Sequence, residues 1–353
     1  MFLINALYSL TLRMKTISAF DSHMEQAGYG RLSLLQQVSP LVHLRQLSKR
    51  IGTDIYMKRE DLTELGLGGN KLRKLEYLLA EAKKQGANRI ITVGARQSNH
   101  ARLTAVAARM AGFTVDLVLK NAVPQDTEDY QLNGNIVLDN IVDARIHEIP
   151  NDGTASAYIS SLIKHYEAVG DQVYFIPVGG SNKVGGFVYA RAAYEIVEQC
   201  RFLDLDFTQI ALATGSGGTH AGLLAGYHLQ DRADVRIQAY NVQIDREPLL
   251  TETQTIYQQI LAEFAESAKA DMGSIQVSNA YVGEQYGIPS PETLETIKLL
   301  AQTEGIFLDP VYTGKAFVGM LGDIKKGLFR AGEPILFLHT GGIPGIFAYS
   351  NWF

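Results

Sequence analysis

The sequence contains very little cysteine. Cys200 is the single cysteine among 353 residues, which excludes an internal disulfide and a thiolate metal cluster. It falls at the end of a helical pattern, where we expect a buried, unreactive thiol. The eight histidines are scattered without His-x-x-x-His spacing, so no metal is predicted. Cysteine usage of this kind indicates a cytoplasmic protein.

The sequence also lacks a surplus of basic residues. Lysine and arginine number 32 against 37 acidic residues, which gives a net charge of -5 and a pI near 5.9. No basic stripe with interleaved aromatic residues is present, so nucleic-acid binding is not expected. With 46% hydrophobic and 20% charged residues the chain can bury a large core, and its length predicts two domains. These properties favour an enzyme that acts on small molecules.

No hydrophobic run is long enough to cross a bilayer. Residues 1–12 are apolar, but no basic stretch precedes them and no small-residue cleavage site follows. A signal peptide is therefore a weak interpretation. A translation start at Met14 or Met24 explains the segment equally well. The sequence leaves the start open among Met1, Met14 and Met24. We expect no membrane partner.

What the sequence does contain is a glycine turn that leads into a helix. Residues 66–76 read GLGGNKLRKLE, and apolar residues follow at helical spacing up to the glycine at position 86. Asn70 is expected to cap the helix, which places Lys71, Arg73 and Lys74 in its first turn. Cations at the positive end of a helix dipole cost about 0.3–1 kcal/mol each, so a nearby anion is predicted. The alternative is that they are solvated residues of a surface helix.

Strand-like and helix-like segments alternate along most of the chain. This alternation predicts parallel sheets with helices on both faces, and ligands at the carboxyl ends of the strands. Strands are predicted at residues 54–58, 89–93, 114–120, 144–149, 173–177, 209–213, 235–242 and 334–339. Helices are predicted at residues 101–111, about 130–140, 155–168, 186–199, 219–229, 247–268 and 291–303, and a short helical segment between Pro40 and Ile51.

Two further loops lie at strand-to-helix junctions. Residues 93–100 read VGARQSNH, and residues 214–220 read TGSGGTH. A Gly/Ser/Thr loop before a helix offers backbone N–H groups and a favourable dipole to a phosphate. The second loop does not match a dinucleotide fingerprint, because His220 occupies the position of the last glycine, and it lacks the Gly-Lys of a P-loop. A compact monophosphate is therefore favoured over a nucleotide.

Together the three loops suit one kind of cofactor. A lysine after a glycine turn, a Ser-Asn pair at a strand end and a separate phosphate cup are what a cofactor with one phosphate and a Schiff-base linkage requires. Pyridoxal 5'-phosphate meets that description. A different α/β enzyme class is the alternative that these residues alone leave open.

Several motifs make the match closer. They are KRED at 58–61, GGNKLRKLE at 68–76, QSNH at 97–100, GTHAG at 218–222, YGIP at 286–289, DPVYTGK at 309–315 and HTGG at 339–342. With these motifs the sequence, from about residue 34 to residue 349, closely resembles the D-cysteine desulfhydrase and 1-aminocyclopropane-1-carboxylate deaminase family. These are fold type II enzymes that depend on pyridoxal phosphate.

The resemblance implies a fold and a domain organisation. It implies an α/β protein with two open twisted parallel-sheet domains, similar to the β subunit of tryptophan synthase. The large, cofactor-binding domain would comprise residues 1–72 and 176–353. A smaller α/β domain, residues 73–175, would be inserted in it. A cytoplasmic homodimer is the assembly expected of the family.

The resemblance also implies roles for individual residues. Lys71 would carry the cofactor through a Schiff base and, once released, move the Cα proton of the substrate. Ser98, Tyr286 and Tyr312 would join it as catalytic residues, with Tyr312 against the pyridine ring and Tyr286 facing the substrate side chain. The cofactor contacts would further include Lys74, Asn99, Gly217, Gly218, Thr219 and Thr340, with the phenolic oxygen at Asn99 and the phosphate at Lys74 and residues 217–219. The substrate contacts would be Ser98, Asn99, His100, Tyr286 and Thr313, with the carboxylate at Ser98 and its neighbour.

Two positions separate the branches of the family. The ring-opening branch has a glutamate after the stacking tyrosine and a leucine before the final Gly-Gly, whereas this sequence has Thr313 and Thr340. Hydroxyl residues at both positions imply a lyase that converts D-cysteine to pyruvate, hydrogen sulfide and ammonia, in the metabolism of D-amino acids. A neutral hydroxyl beside the pyridine nitrogen leaves that nitrogen largely unprotonated.

Two other functions stay open at this point. One is the opening of 1-aminocyclopropane-1-carboxylate to 2-oxobutanoate and ammonia, and the other is a noncatalytic binding protein of the same fold. Arg96 departs from the family, in which an apolar residue is common at this position. Its side chain is expected to reach either the site or the solvent.

Overall fold

The computed structural model describes residues 16–243, 245–264 and 268–353. The apolar segment at residues 1–12 and the possible start at Met14 lie outside the described residues, whereas Met24 lies buried in the first helix. The elements in chain order are α1 Ile17–Gln26, β1 Leu41–His43, α2 Arg45–Ile51, β2 Ile55–Arg59, α3 Lys71–Lys84, β3 Arg89–Ala95, α4 Asn99–Met110, β4 Thr114–Lys120, α5 Glu128–Leu132, α6 Asn135–Ile141, β5 Arg145–Ile149, α7 Ala155–Ala168, β6 Val173–Ile176, α8 Lys183–Leu203, β7 Gln209–Thr214, α9 Gly218–Leu229, β8 Arg236–Asn241, α10 Arg246–Phe264, β9 Gln276–Ser278, α11 Pro291–Glu304, α12 Thr313–Lys325 and β10 Ile335–His339. None of the described helices is long and apolar enough to span a membrane.

The larger sheet has the strand order β1-β2-β10-β7-β8-β9. From β2 to β9 every neighbouring pair is parallel. The side chains of β7 and β10 are buried along their whole length, as expected of strands covered on both faces. The structure corrects the prediction at β1, because these residues form a strand where the sequence predicts helix. They extend instead along the free edge of β2 in the antiparallel sense, and the Arg59 N–H donates to the Pro40 carbonyl at 2.8 Å.

The smaller sheet has the order β5-β4-β3-β6, and its pairs are all parallel. Its strands lie between residues 89 and 176, and α3 packs against both α4 and α8. α3 therefore lies between the two sheets, and its first turn faces the edge where strands of both sheets end. The predicted α/β class with two parallel sheets is confirmed. The domain boundaries at residues 72/73 and 175/176 stay a prediction.

Three predicted helices differ from the structure. The segment at 130–140 is two helices, α5 and α6, because the chain turns at Asn133 and Gly134. The Asn133 Oδ1 accepts from the Gly134 N–H at 2.8 Å, and Gly134 has a φ of 64°, which breaks the helical ladder. α8 is longer than predicted at both ends, since the Asn182 side chain caps it by accepting from the Gly185 N–H at 2.8 Å. The predicted helix at 247–268 ends at Phe264, and residues 265–267 lie outside the described part.

Candidate active site

A cavity of about 540 Å³ lies where the carboxyl ends of strands from both sheets meet. Most of the residues that the sequence singles out line it. They are Lys71, Ser98, Asn99, His100, Gly217, Thr219, Tyr286, Tyr312 and Thr340. Lys74 and Gly218 lie just behind the wall, and Thr313 is fully buried elsewhere. The fold therefore brings together side chains that are as far apart in sequence as positions 71 and 340.

Lys71 begins α3 and extends into the cavity. Its Nζ donates to the Asn70 Oδ1 at 3.0 Å, and the Asn70 Nδ2 donates to the Thr219 Oγ1 at 3.2 Å. The expectation that the Asn70 side chain caps α3 is wrong, because these two contacts occupy the amide instead. Burial lowers the pKa of Lys71 to about 8, and the charge of Asp309 only partly offsets this effect. A substantial fraction of neutral amine near neutral pH makes Lys71 a competent nucleophile toward an aldehyde.

Lys74 lies one turn further along α3 and has no carboxylate partner among the described residues. Its Nζ donates to the Gly179 carbonyl at 3.0 Å and to the Ser181 Oγ at 3.1 Å. Burial, and then the charge of Lys71, hold the pKa of Lys74 well below its ordinary value. An anion bound beside it would restore its proton, since an opposite charge favours the charged form.

The start of α9 provides that anion site. Gly217 has a φ of 76° and turns the chain into the helix, so N–H groups of its first turn that lack a helical acceptor can donate to a ligand. At Gly218 an added Cβ would lie 2.9 Å from the Lys74 Nζ and 2.6 Å from the Ser181 Oγ. Only glycine lets the lysine approach the helix terminus this closely. The geometry suits one phosphate between a helix N-terminus and a buried ammonium.

Ser98, Asn99 and His100 form the first turn of α4 on the other side of the cavity. The Ser98 Oγ accepts from the Ala101 N–H at 3.1 Å, which leaves its O–H free to donate into the cavity. His100 is buried against Thr92, with Nε2 2.8 Å from the Thr92 Oγ1. Burial and the charges of the two cavity lysines hold the pKa of His100 well below its ordinary value. A neutral imidazole in this position orients its neighbours and is a poor proton acceptor.

Tyr286 and Tyr312 close the third side. Their hydroxyl oxygens are 2.8 Å apart, and their rings meet edge to face with centroids separated by 5.9 Å. Burial raises the pKa of Tyr312 to about 12 and that of Tyr286 well above its ordinary value, so both phenols keep their protons. One of the two hydroxyl groups donates its proton to the other, so the remaining O–H can donate a hydrogen bond into the cavity.

Asp309 was given no role by the sequence, although it lies in one of the motifs. Its Oδ2 accepts from the Tyr312 N–H at 2.8 Å, and its Oδ1 accepts from the Thr313 N–H at 2.8 Å and from the Thr313 hydroxyl at 2.7 Å. Asp309 therefore fixes the backbone that presents Tyr312. The same contacts account for Thr313, whose hydroxyl is bound to Asp309 and not directed into the cavity. The Asp-Pro pair just before α12 is the turn signal that could have pointed to this role of Asp309.

Thr340 follows the last buried strand, β10, and lies beside Lys71. Its carbonyl accepts from the Asn70 N–H at 3.0 Å. An added Cβ at Gly341, where φ is 95°, would lie 2.6 Å from the Gly69 Cα. The two glycine turns thus pack backbone to backbone, which holds Thr340 and Lys71 at the same wall of the cavity.

Two side chains near the site were not assigned by the sequence. Arg102, fully buried on α4, donates to the carbonyls of Gly66 and Gly68, the latter at 3.1 Å, and so supports the turn before Lys71. Arg96 points away from the cavity: its Nη1 pairs with the Glu148 Oε2 at 2.8 Å, and its guanidinium donates to the Gln131 carbonyl. Buried arginines that bind carbonyls leave no periodic sequence signal, which is why Arg102 was missed.

These features define a class of enzyme. A lysine whose pKa is lowered, at the mouth of a parallel-sheet cavity and next to a phosphate cup with its own buried lysine, fits a cofactor that combines an aldehyde with one phosphate. Pyridoxal phosphate has both groups. When bound, it supplies a ring that withdraws electrons from the Cα of an amino acid.

Comparison with known proteins agrees with this class. A model of the pyridoxal-phosphate dependent enzyme family matches residues 32–341. The D-cysteine desulfhydrase of Serratia proteamaculans (strain 568) is 40% identical over 326 residues, which cover 92% of this chain and 97% of that protein. The D-cysteine desulfhydrase of Salmonella typhi is 40% identical over 322 residues, which cover 91% of this chain and 96% of that protein.

Solved structures give the same result. The crystal structure of an ACC deaminase homologue matches with a TM-score of 0.84 and 35% identity, over 94% of this chain and 97% of the other. The crystal structure of a T.th. threonine deaminase matches with a TM-score of 0.62 and 15% identity, over 93% and 98%, and supports the fold alone. The chain belongs to the family of pyridoxal-phosphate dependent enzymes, which confirms the family and the cofactor predicted from its motifs.

Proposed function

We propose that this enzyme is a lyase that converts D-cysteine and water to pyruvate, hydrogen sulfide and ammonia. The observation that carries the proposal is the Lys71 amine, with a pKa lowered to about 8, in the cavity of a chain that is 40% identical to D-cysteine desulfhydrases over most of its length. Thr313 and Thr340, at the positions that separate the two branches of the family, support the same choice.

Each residue of the cavity has a role in this proposal. Lys71 holds the cofactor and then, as a neutral amine, accepts the Cα proton of the substrate. The thiolate leaves from Cβ, and water hydrolyses the released enamine to pyruvate and ammonia. Ser98, with Asn99 and His100 beside it, binds the substrate carboxylate. Lys74 and residues 217–219 would hold the cofactor phosphate, and Asn99 would also contact the phenolic oxygen.

The tyrosine pair supplies the remaining contacts. Tyr312 would lie against the pyridine ring, and Tyr286 would face the substrate side chain. Because burial raises the pKa of both phenols, they stay protonated and can donate a hydrogen bond to the departing sulfur. Thr340 would lie beside the pyridine nitrogen and, as a neutral hydroxyl, would leave it largely unprotonated. Thr313 acts on the substrate only through the backbone that Asp309 and Thr313 hold together.

The second candidate is the opening of 1-aminocyclopropane-1-carboxylate to 2-oxobutanoate and ammonia. The observation that favours it is the TM-score of 0.84 with the ACC deaminase homologue. Purified enzyme should be assayed side by side with D-cysteine, L-cysteine and the cyclopropane substrate. We expect sulfide and pyruvate from D-cysteine with the largest kcat/KM. No sulfide from D-cysteine would refute the proposal, and a larger kcat/KM on the cyclopropane would establish the second candidate.

We also infer that the enzyme is a cytoplasmic homodimer. The similarity of nearly the whole chain to the family supports both properties. Light scattering coupled to size-exclusion chromatography should give twice the mass of the 38.8 kDa chain. A monomer in that measurement would refute the dimer. A purified protein without a visible absorption band from bound cofactor would favour a noncatalytic binding protein instead.

A further inference from the structure

Helix α6 lies behind the cavity and is held by Gln97. The Gln97 Nε2 donates to the carbonyls of Tyr130 at 2.7 Å and Asn133 at 2.9 Å, and its Oε1 accepts from the Asn135 N–H at 2.9 Å. An added Cβ at Gly134 would lie 2.7 Å from the Gln97 Oε1, so only glycine permits this contact. The first residue of α6, Asn135, is thereby fixed against the loop that contains Ser98 and Asn99.

The Asn135 side chain has one possible orientation. Its Nδ2 lies 3.1 Å from the Gln97 carbonyl and 3.1 Å from the Asn99 Oδ1. A backbone carbonyl can only accept, so the group that faces it must be the NH₂ of Asn135. The second N–H of the same group then donates to Asn99. The atom of Asn99 that faces Asn135 is therefore its oxygen.

These two hydrogen bonds of Asn135 determine which group of the Asn99 side chain faces the cavity. With its Oδ1 occupied by Asn135, Asn99 has its NH₂ group left, and no described residue accepts a hydrogen bond from it. The Asn135 Oδ1, in contrast, is buried with no hydrogen-bond partner. The arrangement leaves that oxygen unpaired, which is unfavourable, and keeps the donor of Asn99 directed into the cavity.

We propose that Asn135 is a positioning residue that orients the Asn99 amide so that its N–H, and not its oxygen, faces the phenolic oxygen of the cofactor. The proposal rests on the proposed contact between Asn99 and that oxygen. Asn135 is buried and does not line the cavity, so it would touch neither cofactor nor substrate. It acts through Asn99, because its NH₂ group donates to the Gln97 carbonyl and to the Asn99 Oδ1.

The decisive variant is Asn135→Asp. The introduced carboxylate only accepts, so it turns the Asn99 amide around and directs the Asn99 oxygen at the cofactor. The measurement is the pH titration of the visible absorption band of the bound cofactor, without substrate. We expect its midpoint to shift by about one pH unit, and kcat on D-cysteine to fall about tenfold, as for the loss of one charge-assisted hydrogen bond. Asn135→Ala, which removes the donor without adding a charge, should shift the midpoint less and serves if the first variant does not fold.

The matched control is Asn140→Asp, the same chemical change on the exposed side of α6. It should leave the titration unchanged. In the background of Asn99→Ala, Asn135→Ala should change the midpoint no further, because the residue through which it acts is gone. A folded Asn135 variant that titrates like the parent enzyme, or an undiminished effect in the Asn99→Ala background, would overturn the proposal. A shifted titration in an enzyme that releases no sulfide from D-cysteine would refute the proposed function alone.

Discussion

Two pairs of buried cations lie at or beside the first turn of α3 and differ in whether carboxylates pair with them. Arg73 and Lys58 are surrounded by carboxylates: Arg73 lies 2.5 Å from the Glu60 Oε2 and 2.7 Å from the Glu195 Oε1, and Lys58 lies 2.6 Å from the same Glu195 oxygen. Lys71 and Lys74 have no carboxylate within ion-pair distance among the described residues. The protein's own carboxylates balance the charges of Arg73 and Lys58. A bound anion would have to do so for Lys71 and Lys74.

The pKa values follow this difference for Arg73 but not for Lys58, whose pKa burial lowers although the charges of Glu195 and Glu60 offset part of the effect. The charges of Glu60 and Glu195 hold the pKa of Arg73 above its ordinary value despite its burial. Burial lowers the pKa of Lys71 to about 8 and that of Lys74 well below its ordinary value. Sequence reasoning treats the three cations of this turn as one group that awaits an anion. For Arg73 the nearby anions are the protein's own carboxylates, Glu60 and Glu195.

The largest expected effect comes from removing the cavity amine. Lys71→Ala should lower kcat on D-cysteine by at least about 10²–10⁴-fold, because both the covalent attachment of the cofactor and the proton acceptor are lost. Steady-state kinetics and thermal unfolding should be measured together. The matched control is Lys83→Ala, an exposed lysine of the same helix, which should keep full activity. Retention of more than a tenth of the activity by Lys71→Ala would contradict the role given to the amine.

The next largest effect is expected where carboxylates pair with Arg73 and Lys58. Glu195→Gln removes a carboxylate shared by Lys58 and Arg73, and we expect the free energy of unfolding to fall by about 3–5 kcal/mol, since Lys58 loses the carboxylate it contacts and Arg73 keeps only Glu60. Chemical denaturation of the apoprotein measures this. Glu198→Gln on the same helix should cost no more than about 1 kcal/mol. Equal losses in the two variants would mean that the buried pairing is not what stabilises this region.

Replacement of Lys74, which has no carboxylate partner among the described residues, should affect cofactor binding more than stability. Lys74→Met should weaken binding of pyridoxal phosphate about 10–100-fold, because a charged hydrogen bond to the phosphate is lost. The stability of the apoprotein should stay the same or rise, because a buried amine without a carboxylate partner among the described residues is removed. Lys58→Met provides the comparison, since it should destabilise the apoprotein and change cofactor affinity little. A Lys74→Met apoprotein as unstable as Lys58→Met would remove the distinction between the two sites.

The smallest effect is in the pH dependence of stability. The pKa of Lys71 is about 8 in the folded apoprotein and near its ordinary 10.5 in the unfolded chain, so the unfolded chain binds more protons between these values. The free energy of unfolding should therefore rise with pH from about 8 to about 10.5, by an amount reduced by solvent in the cavity. Lys71→Met should lack this contribution. Identical pH profiles for the two proteins would show that the pKa of Lys71 is not lowered.

Much of the fold was predictable because it depends on local patterns. Short buried strands such as β7 and β10 appear as continuous apolar runs, and glycines mark the turns into α3 and α9. The short edge strand β1 was not predictable, because its pairing depends on a free edge of β2 that only the tertiary structure creates. The break at Gly134 shows the same limit, because the glycine is needed for its contact with Gln97 and not for the local turn alone.

The site divides in the same way. Residues in motifs, such as Lys71 and Tyr312, were found because their spacing is characteristic. The contacts of Asp309, Arg102 and Asn135 were not, because each acts on backbone or on another side chain, and such contacts leave no characteristic spacing in the sequence. Nor does the sequence separate Arg73 from Lys71, since only packing decides which side chain of a helical turn enters a cavity and which enters an ion-pair cluster.

One measurement tests most directly the claim that Lys71 is the amine to which the fold brings the cofactor. The holoenzyme should be reduced with borohydride, digested and mapped by mass spectrometry. We predict a single pyridoxyl label, on Lys71, and none on Lys74 although it lies only one turn away. A label on Lys74 or on any other lysine, with Lys71 unmodified, would contradict the claim.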